Sequence, residues 1–270
     1  MNLFSVKDKK IIITGATGVL GSQMAKHLAK EGAHIIIIGR TLSKISALSD
    51  EIKKAGGLAT GFQADVTNMG ELQKAAEKIK NEIGDVDILV NLAGGNMPGA
   101  VVKPDQTLAD LSPEAVKQVM DLNYLGTLLP IQAFLPLMLP NKRGNIINIS
   151  SMSAQKPLTR VMGYGSAKAA IDNLTKWLSV ELNQKHGEGF RVNALAPGFF
   201  LTEQNRELLT ESNGVLTQRG KQILDHTPMG RFGDPEDLLG TLQWLCSDAS
   251  KFVTGTIVPV DGGFSAYSGV

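Results

Sequence analysis

Short β-branched runs alternate along the chain with longer stretches whose apolar positions recur every three or four residues. Seven runs predict strands, at 11–13, 34–38, 58–62, 87–91, 145–149, 191–195 and 256–260, the third being the weakest because glycines flank it. Six amphipathic stretches predict helices, at 20–31, 42–55, 69–83, 113–138, 163–185 and 235–245. Ser112-Pro113 and Asp234-Pro235 each place a capping oxygen before a proline at the first helical position, where a missing N–H costs nothing. Pro130 and Pro136 fall inside the fourth helical stretch and predict a kink or early end there. Strands separated by crossover helices pair in parallel. The pattern therefore predicts one doubly wound α/β domain over 1–270, a seven-stranded parallel sheet with helices on both faces. The stretch 199–232 is long for a connection and predicts a substrate lid; its four basic and four acidic side chains give it no net field.

Composition narrows the partners. With 27 basic and 26 acidic side chains the net charge is +1, and no basic run exceeds Lys9-Lys10, so nucleic acid is not an expected partner. No run of 18 apolar residues offers a membrane span, and the first ten residues hold no apolar signal core, so a soluble cytoplasmic protein is expected. Cys246 has no second cysteine to pair with, in keeping with a reducing compartment, and His27, His34, His186 and His226 share no ligand spacing with it, so no metal site is expected. Trp177 and Trp244 lie in amphipathic helices and read as packing residues, and His226 reads as a surface histidine.

The first predicted strand runs into Thr14-Gly15-Ala16-Thr17-Gly18-Val19-Leu20-Gly21 and then a helix. Glycines at 15, 18 and 21 let the backbone turn tightly, approach a pyrophosphate and aim a helix N-terminus at its charge. An acid at the end of the second strand would accept bonds from the adenosine ribose and repel a 2′-phosphate. Here the strand ends Gly39-Arg40-Thr41, a guanidinium with a hydroxyl beside it, which favours NADP(H) over NAD(H).

Tyr164 and Lys168 stand four apart at the start of the fifth predicted helix, on one face, and Ser151 follows a strand 13 residues before the tyrosine. A cation about 4 Å from a phenol favours the phenolate by about 4 kcal/mol at an effective dielectric near 20, enough to bring proton exchange toward neutrality. Tyr-x-x-x-Lys alone is common in helices. Its weight comes from the company it keeps.

That company is the glycine loop, Asn91-Leu92-Ala93-Gly94, Asn123, Asn148-Ile149-Ser150-Ser151, Tyr164-Gly165-Ser166-Ala167-Lys168, Arg191-Val192-Asn193, Pro197-Gly198 with Thr202, and Val260-Asp261-Gly262-Gly263. In order and spacing, across essentially the whole chain, it resembles the short-chain dehydrogenase/reductase family. The resemblance implies a Rossmann-type fold, a nicotinamide dinucleotide and a tetrad: Tyr164 as general acid in reduction, Ser151 on the substrate oxygen, Lys168 on the nicotinamide ribose, and Asn123 ordering a relay water. It further implies that Gly15, Thr17, Gly18, Val19, Leu20 and Gly21 meet the phosphates and that Arg40 and Thr41 lie at the adenosine ribose. Asp65 and Val66 would meet the adenine, Asn91, Ala93 and Gly94 the ribose side, and Pro197, Gly198 and Thr202 the carboxamide or pyrophosphate. The usual glycine loop of the family is TGxxxGxG. Here Val19 takes the second glycine place and Gly18 precedes it, which changes the phosphate contacts but not the strand-loop-helix arrangement.

Stretches 121–127, 197–206, 226–233 and 262–270 resemble the D-mannonate oxidoreductase (fructuronate reductase) subgroup, which implies a small sugar-acid substrate. The 151–164 segment carries Gln155, Lys156 and Arg160 and no acid, a wall suited to an anionic polyhydroxylated ligand. Asn96, Ser153, Arg160, Asn205 and Arg206 are the candidate substrate contacts. Another polyol, a keto-gluconate or a 3-oxoacyl thioester stands as the alternative substrate, and a non-catalytic nicotinamide sensor as the alternative class. The resemblance also implies a homotetramer.

Overall fold

A computed structural model describes residues 2–201, 206–211 and 214–269, apart from the side chains of residues 207 and 208. Seven strands, β1 (Lys10–Thr14), β2 (His34–Gly39), β3 (Leu58–Gln63), β4 (Ile88–Asn91), β5 (Gly144–Ile149), β6 (Phe190–Pro197) and β7 (Ile257–Val260), form one parallel sheet in the order β3-β2-β1-β4-β5-β6-β7. Between them lie α1 (Val19–Lys30), α2 (Leu42–Lys54), α3 (Met69–Glu82), α4 (Pro113–Met120), α5 (Gly126–Phe134), α6 (Met162–His186), α7 (Arg206–Leu209), α8 (Gln218–Asp225) and α9 (Leu239–Cys246).

The isoleucine runs explain why both faces are covered. Alternation along β1 and β2 sends Ile11, Ile13, Ile35 and Ile37 into one core with Met24, Leu28, Ile45, Ile52, Leu242 and Leu245 from α1, α2 and α9. Ile12, Ile36 and Ile38 enter the other, with Leu72 and Ile79 of α3, Phe134 of α5, and Leu174 and Leu178 of α6. A strand buried on both faces can carry an unbroken apolar run, which is what β1 and β2 show. Leu58, at the flank of the weak third strand, is 62% exposed because β3 is the sheet edge and pairs only with β2.

Strand order reverses between β1 and β4, so a crevice opens beyond their carboxyl ends, the place where this class of sheet takes ligands. Segments following β1, β4, β5 and β6 all reach that crevice.

The predicted helix at 113–138 is interrupted once ahead of both its prolines and ends early at the second of them. α4 starts under its Ser112 cap, which accepts from the Ala115 N–H at 3.2 Å, and gives way to a π-helical turn, Asp121–Leu125. There the Gly126 N–H reaches the Asp121 carbonyl five residues back. Pro130 is accommodated inside α5; only after Phe134, ahead of Pro136, does the chain pass into 3₁₀ turns. The last predicted helix begins as the 3₁₀ turn Pro235–Leu238 before α9.

The 199–232 stretch carries α7 and α8, its ends joined where Phe200 bridges Gly233. Trp177 does not pack within its own subunit: 57% exposed, it stands with Val180 on the outer face of α6, while Trp244 packs against the first core. Cys246 is buried, which pushes its thiol up to about 12 and leaves it a core side chain. No helix among the described residues is long and apolar enough to cross a membrane.

Candidate active site

A cleft of about 510 Å³ lies at the crevice where the strand order reverses. Its phosphate end is built from the turn after β1. Gly15 holds φ +68°, and a Cβ there would fall 2.8 Å from the backbone of Ala93, so only glycine lets the β1 and β4 turns close on one another. A Cβ on Gly21 would fall 2.4 Å from the Gly15 carbonyl, so only glycine lets α1 start this near the turn. Gly18 takes the N-cap of α1 with no side-chain cap, and the helix has no acid in its first turn. Free amides and the positive end of a helix facing an open cleft suit a pyrophosphate, so the site fits a dinucleotide.

Of the residues assigned to a cofactor from the motifs, Gly15, Thr17, Gly18, Val19, Leu20, Gly21, Arg40, Val66, Ala93, Gly94, Tyr164, Lys168, Pro197 and Gly198 line this cleft. Three do not. The Asn91 side chain is buried and donates to Asn148 Oδ1 at 3.0 Å. Asp65 Oδ1 accepts from the Thr67 amide and hydroxyl at 2.8 and 2.7 Å, and its neighbours Ala64 and Val66 form the wall instead. Thr41 is exposed at the N-cap of α2, outside the lining. Thr202 lies outside the described residues. The cofactor assignment passed over Ile38, Gly39, Ala64, Leu92, Gly95, Leu122, Ile149, Ser150 and Phe200, which also line the cleft; Leu92, Ile149 and Ser150 stand inside quoted motifs, the others adjoin or nearly adjoin an assigned residue, and that adjacency was the available signal.

The chemical end gathers residues from three elements. Ser151 leaves β5 and accepts the Ser153 amide on Oγ at 3.2 Å, which keeps its own hydrogen available to donate. Tyr164, from the first turn of α6, is half-buried with its phenol in hydrogen-bonding reach of Ser151. Lys168 follows one turn later, 4% exposed, its Nζ donating to the Ile149 carbonyl at 2.7 Å and lying 5.5 Å from the centre of the Tyr164 ring. Asn123 sits in the π-helical turn, fully buried. Its Nδ2 donates to the carbonyls of Gly95 at 2.7 Å and Val119 at 2.8 Å, and its Oδ1 accepts the Gly95 amide at 3.1 Å. Gly94 is where the groups converge, for a Cβ there would lie 2.7 Å from Asn123 Oδ1 and 3.4 Å from Lys168 Nζ.

The expected depression of the phenol is not what the site imposes. Burial holds the Tyr164 phenol above its ordinary value, with the Ser151 hydrogen bond drawing it part of the way back. The nearby cation does not reverse this: Lys168 Nζ is held on Ile149 O, 5.5 Å from the ring centre, and burial brings it down to about 8 against the opposing pull of Asp172 one turn along α6. At neutral pH this is a protonated phenol beside a mostly protonated ammonium. Asp172 is raised by its own burial, and Ser150 approaches it without closing a full hydrogen bond. Sequence reading passed over Asp172 because helical periodicity hides it among core positions.

The candidate substrate contacts scatter. Asn96 is exposed and its Oδ1 accepts from the Met97 amide, while Ser153 is buried with an unpartnered hydroxyl. Neither lines the cleft. Arg206 is exposed at the start of α7, and Asn205 lies outside the described residues. Arg160 Nε donates to the Val102 carbonyl at 2.8 Å, and the residue does not line the cleft. Among the described residues, no group of three or more His, Cys, Asp or Glu is placed to hold a metal ion.

The short chain dehydrogenase family profile matches residues 9–213. The chain belongs to the short-chain dehydrogenase/reductase family. Among its relatives in that family, UxuB of Bacillus subtilis (strain 168), an uncharacterized oxidoreductase, is 46% identical over 98% of both chains. A Haemophilus influenza protein solved with bound NAD as a candidate D-mannonate oxidoreductase is 44% identical over 98% of both chains, with a TM-score of 0.92. A gluconate 5-dehydrogenase from Burkholderia cenocepacia J2315, solved with NADP and tartrate, is 29% identical over 98% of both chains, with a TM-score of 0.86. The chain is thus a nicotinamide-dependent oxidoreductase of the short-chain family with a small-molecule substrate.

Proposed function

We propose that this enzyme moves hydride between nicotinamide and the carbonyl of a sugar acid, converting D-fructuronate to D-mannonate. The observation that carries the reading is the convergence of Ser151, Tyr164 and Lys168 on one wall of a cleft whose other end is built for a pyrophosphate. The sugar acid draws its support from the 44% identical Haemophilus protein and from the acid-free wall at 151–164.

The 15–21 turn, Val66, Ala93, Gly94, Pro197 and Gly198 would hold the dinucleotide, which when bound would supply the hydride. Ser151 donates to the carbonyl oxygen and orients it. Tyr164 gives its proton to that oxygen as negative charge develops, so a ketone becomes a secondary alcohol with hydride on carbon and a proton on oxygen. A phenol held protonated at neutral pH is the form that this direction uses. Lys168, fixed by Ile149 O, keeps positive charge beside the phenol ring, and Asn123 locks the 94–95 backbone that faces Lys168. In an assay of keto-uronates and keto-gluconates followed by dinucleotide absorbance, fructuronate should give the highest kcat/KM. A keto-gluconate ahead of it would move the enzyme to the activity named for the Burkholderia relative, and no turnover with any carbonyl would overturn the reading.

NADP(H) is the proposed preference. Arg40 lines the cleft, exposed, with no carboxylate at the end of β2 to compete for it. Arg40→Ala should raise KM for NADPH about 10- to 100-fold and leave that for NADH near its starting value, as expected for losing a charge-assisted bond to a phosphate. Equal KM values for NADPH in the two proteins would assign the site to NAD(H), the dinucleotide bound to the Haemophilus relative. We further propose that the 199–232 segment covers the bound substrate, that the enzyme acts in the cytoplasm, and that it is a tetramer, for which the exposed Trp177 and Val180 on α6 are the support. A monomer by light scattering at micromolar concentration would overturn the last.

A further inference from the structure

Among the described residues only two charged side chains are buried, Lys168 at 4% exposed and Asp172 at 9%, and they stand one turn apart on α6. The proposed reaction uses the first and leaves the second idle. Residues four apart on an unbroken helix share a face, with Cβ atoms about 5–6 Å apart, and a helical side chain leans toward the N-terminus, so that of Asp172 leans toward Lys168. Two bonds to β5 show which face this is. Lys168 Nζ donates to the Ile149 carbonyl at 2.7 Å, and Asn148 Nδ2 donates to Thr175 Oγ1 at 2.9 Å. Asp172 falls between these two anchors, turned to the carboxyl end of β5.

The same register brings Ser150 to it. The Ser150 amide donates to the Leu195 carbonyl at 2.8 Å, which prolongs the β5 ladder by one residue, and alternation along the strand sends its side chain to the face of Asn148, the α6 face. Two residues along a strand cover about 6.6 Å and three along a helix about 4.5 Å, so Ser150 and Asp172 come nearly level above the Asn148–Thr175 bond. Ser150 lines the cleft. Its Oγ and Asp172 Oδ1 are both buried without a hydrogen-bond partner among the described residues. Burial raises Asp172 above its ordinary value, and a carboxylate kept out of water in this way is tolerated where a cation stands close. The other charges around it are exposed or engaged. Lys176, one turn further along α6, is exposed. β5 and the 3₁₀ turns at 98–100 and 152–154, which meet α6, carry no charged residue. β6 brings Arg191, whose guanidinium is given to the carbonyls of Leu245, Ser247 and Ser250. α4 and the π-helical turn bring Glu114, which is exposed, and Lys117 and Asp121, which pair with each other at 3.6 Å. Lys168 is the buried partner that remains.

We propose that the Asp172 carboxylate holds Lys168 in its ammonium form beside Tyr164, which makes Asp172 a positioning residue for the reaction. The inference rests on the role given to Lys168 above and not on which carbonyl is reduced. Burial works against the ammonium and brings Lys168 down to about 8; a negative charge one turn away works for it, so the cation persists beside the phenol at neutral pH. Ser150, with a hydroxyl that no other group claims, is placed to support the carboxylate from the cleft side.

Asp172→Asn keeps the shape of the side chain and removes its charge. In protein carrying ¹³C-labelled lysine, the Lys168 signal, assigned by its loss in Lys168→Arg, should titrate with a midpoint near 8 in wild type and about one pH unit lower in Asp172→Asn. Asp172→Leu, neutral and with no polar atom to leave unpartnered, should give the same lowered midpoint, so the test does not depend on one variant folding. The ratio of wild-type to variant kcat/KM for carbonyl reduction should be about fivefold larger at pH 8 than at pH 6, as a one-unit change from a midpoint near 8 requires. A residue that served only the fold would lower the rate by one factor at every pH and leave that ratio at one. Equal Lys168 midpoints in wild type and both variants overturn the inference, and the proposed reaction survives if reduction still falls above pH 8. A lowered midpoint with no change in the pH dependence of reduction would leave the pairing standing and take Lys168 out of the proposed chemistry.

Discussion

Tyr164→Phe should lower kcat for carbonyl reduction by about 10²- to 10⁴-fold, the usual contribution of a positioned general acid, while the dissociation constant for NADPH stays within about twofold. The substitution removes one oxygen and leaves the ring that Lys168 Nζ approaches at 5.5 Å, so the loss is chemical and not one of packing. Residual activity in the variant would come from Ser151 and from the bound geometry, with water as the proton source.

The pH profile tests the same point independently. Reduction needs the phenol protonated, and burial keeps it so through neutrality. The group that titrates first is Lys168, brought down to about 8, so kcat/KM for reduction should be level below that pH and fall above it as the ammonium loses its proton. Oxidation of the alcohol needs the phenolate and should gain from neutral pH upward. A reduction profile that instead falls below pH 7 would place the phenol's ionisation lower than burial allows. Equal kcat for the Phe variant and the wild type would remove Tyr164 from the chemistry altogether.

Much of this site was legible because the residues that carry it stand in fixed relation to short, strongly patterned elements. Unbroken isoleucine runs can only be strands buried on both faces, and the turns after such strands in a parallel sheet must collect at one edge. Gly15 and Gly21 could be assigned before their contacts were known because a turn this tight tolerates no Cβ. What stayed hidden depends on contacts between distant segments. Prolines drew attention to 130 and 136, yet the first break in that helix falls at 121–125, which contains none. A π-helical turn is held by partners outside the helix, here the Gly95 backbone 28 residues away, and no local pattern records them. Asn91 and Asp65 carry the right side chains for a ligand and spend them on Asn148 and Thr67. Trp177 shares its periodicity with core residues, but periodicity does not say which side of α6 is covered.

Asn123→Ala should destabilise the fold by about 2–4 kcal/mol and lower the melting temperature by about 5–15 °C, a structural effect on top of any loss of rate. Alanine leaves three backbone groups without their partner: the Gly95 amide, the Gly95 carbonyl and the Val119 carbonyl. Each orphaned polar group costs about 1–3 kcal/mol, less where a water enters the space left by the amide. Asn123→Asp separates the acceptor from the donors. A carboxylate still accepts the Gly95 amide but faces the two carbonyls with no hydrogen, in a fully buried position. Its folded-state pKa should therefore lie above the unfolded value, which makes the variant most stable at low pH and progressively less so as pH rises through the folded pKa. A melting temperature for the Asp variant that does not fall between pH 5 and pH 8, or a change under about 2 °C for the Ala variant, would show that the π-helical turn holds the 94–95 backbone without this side chain.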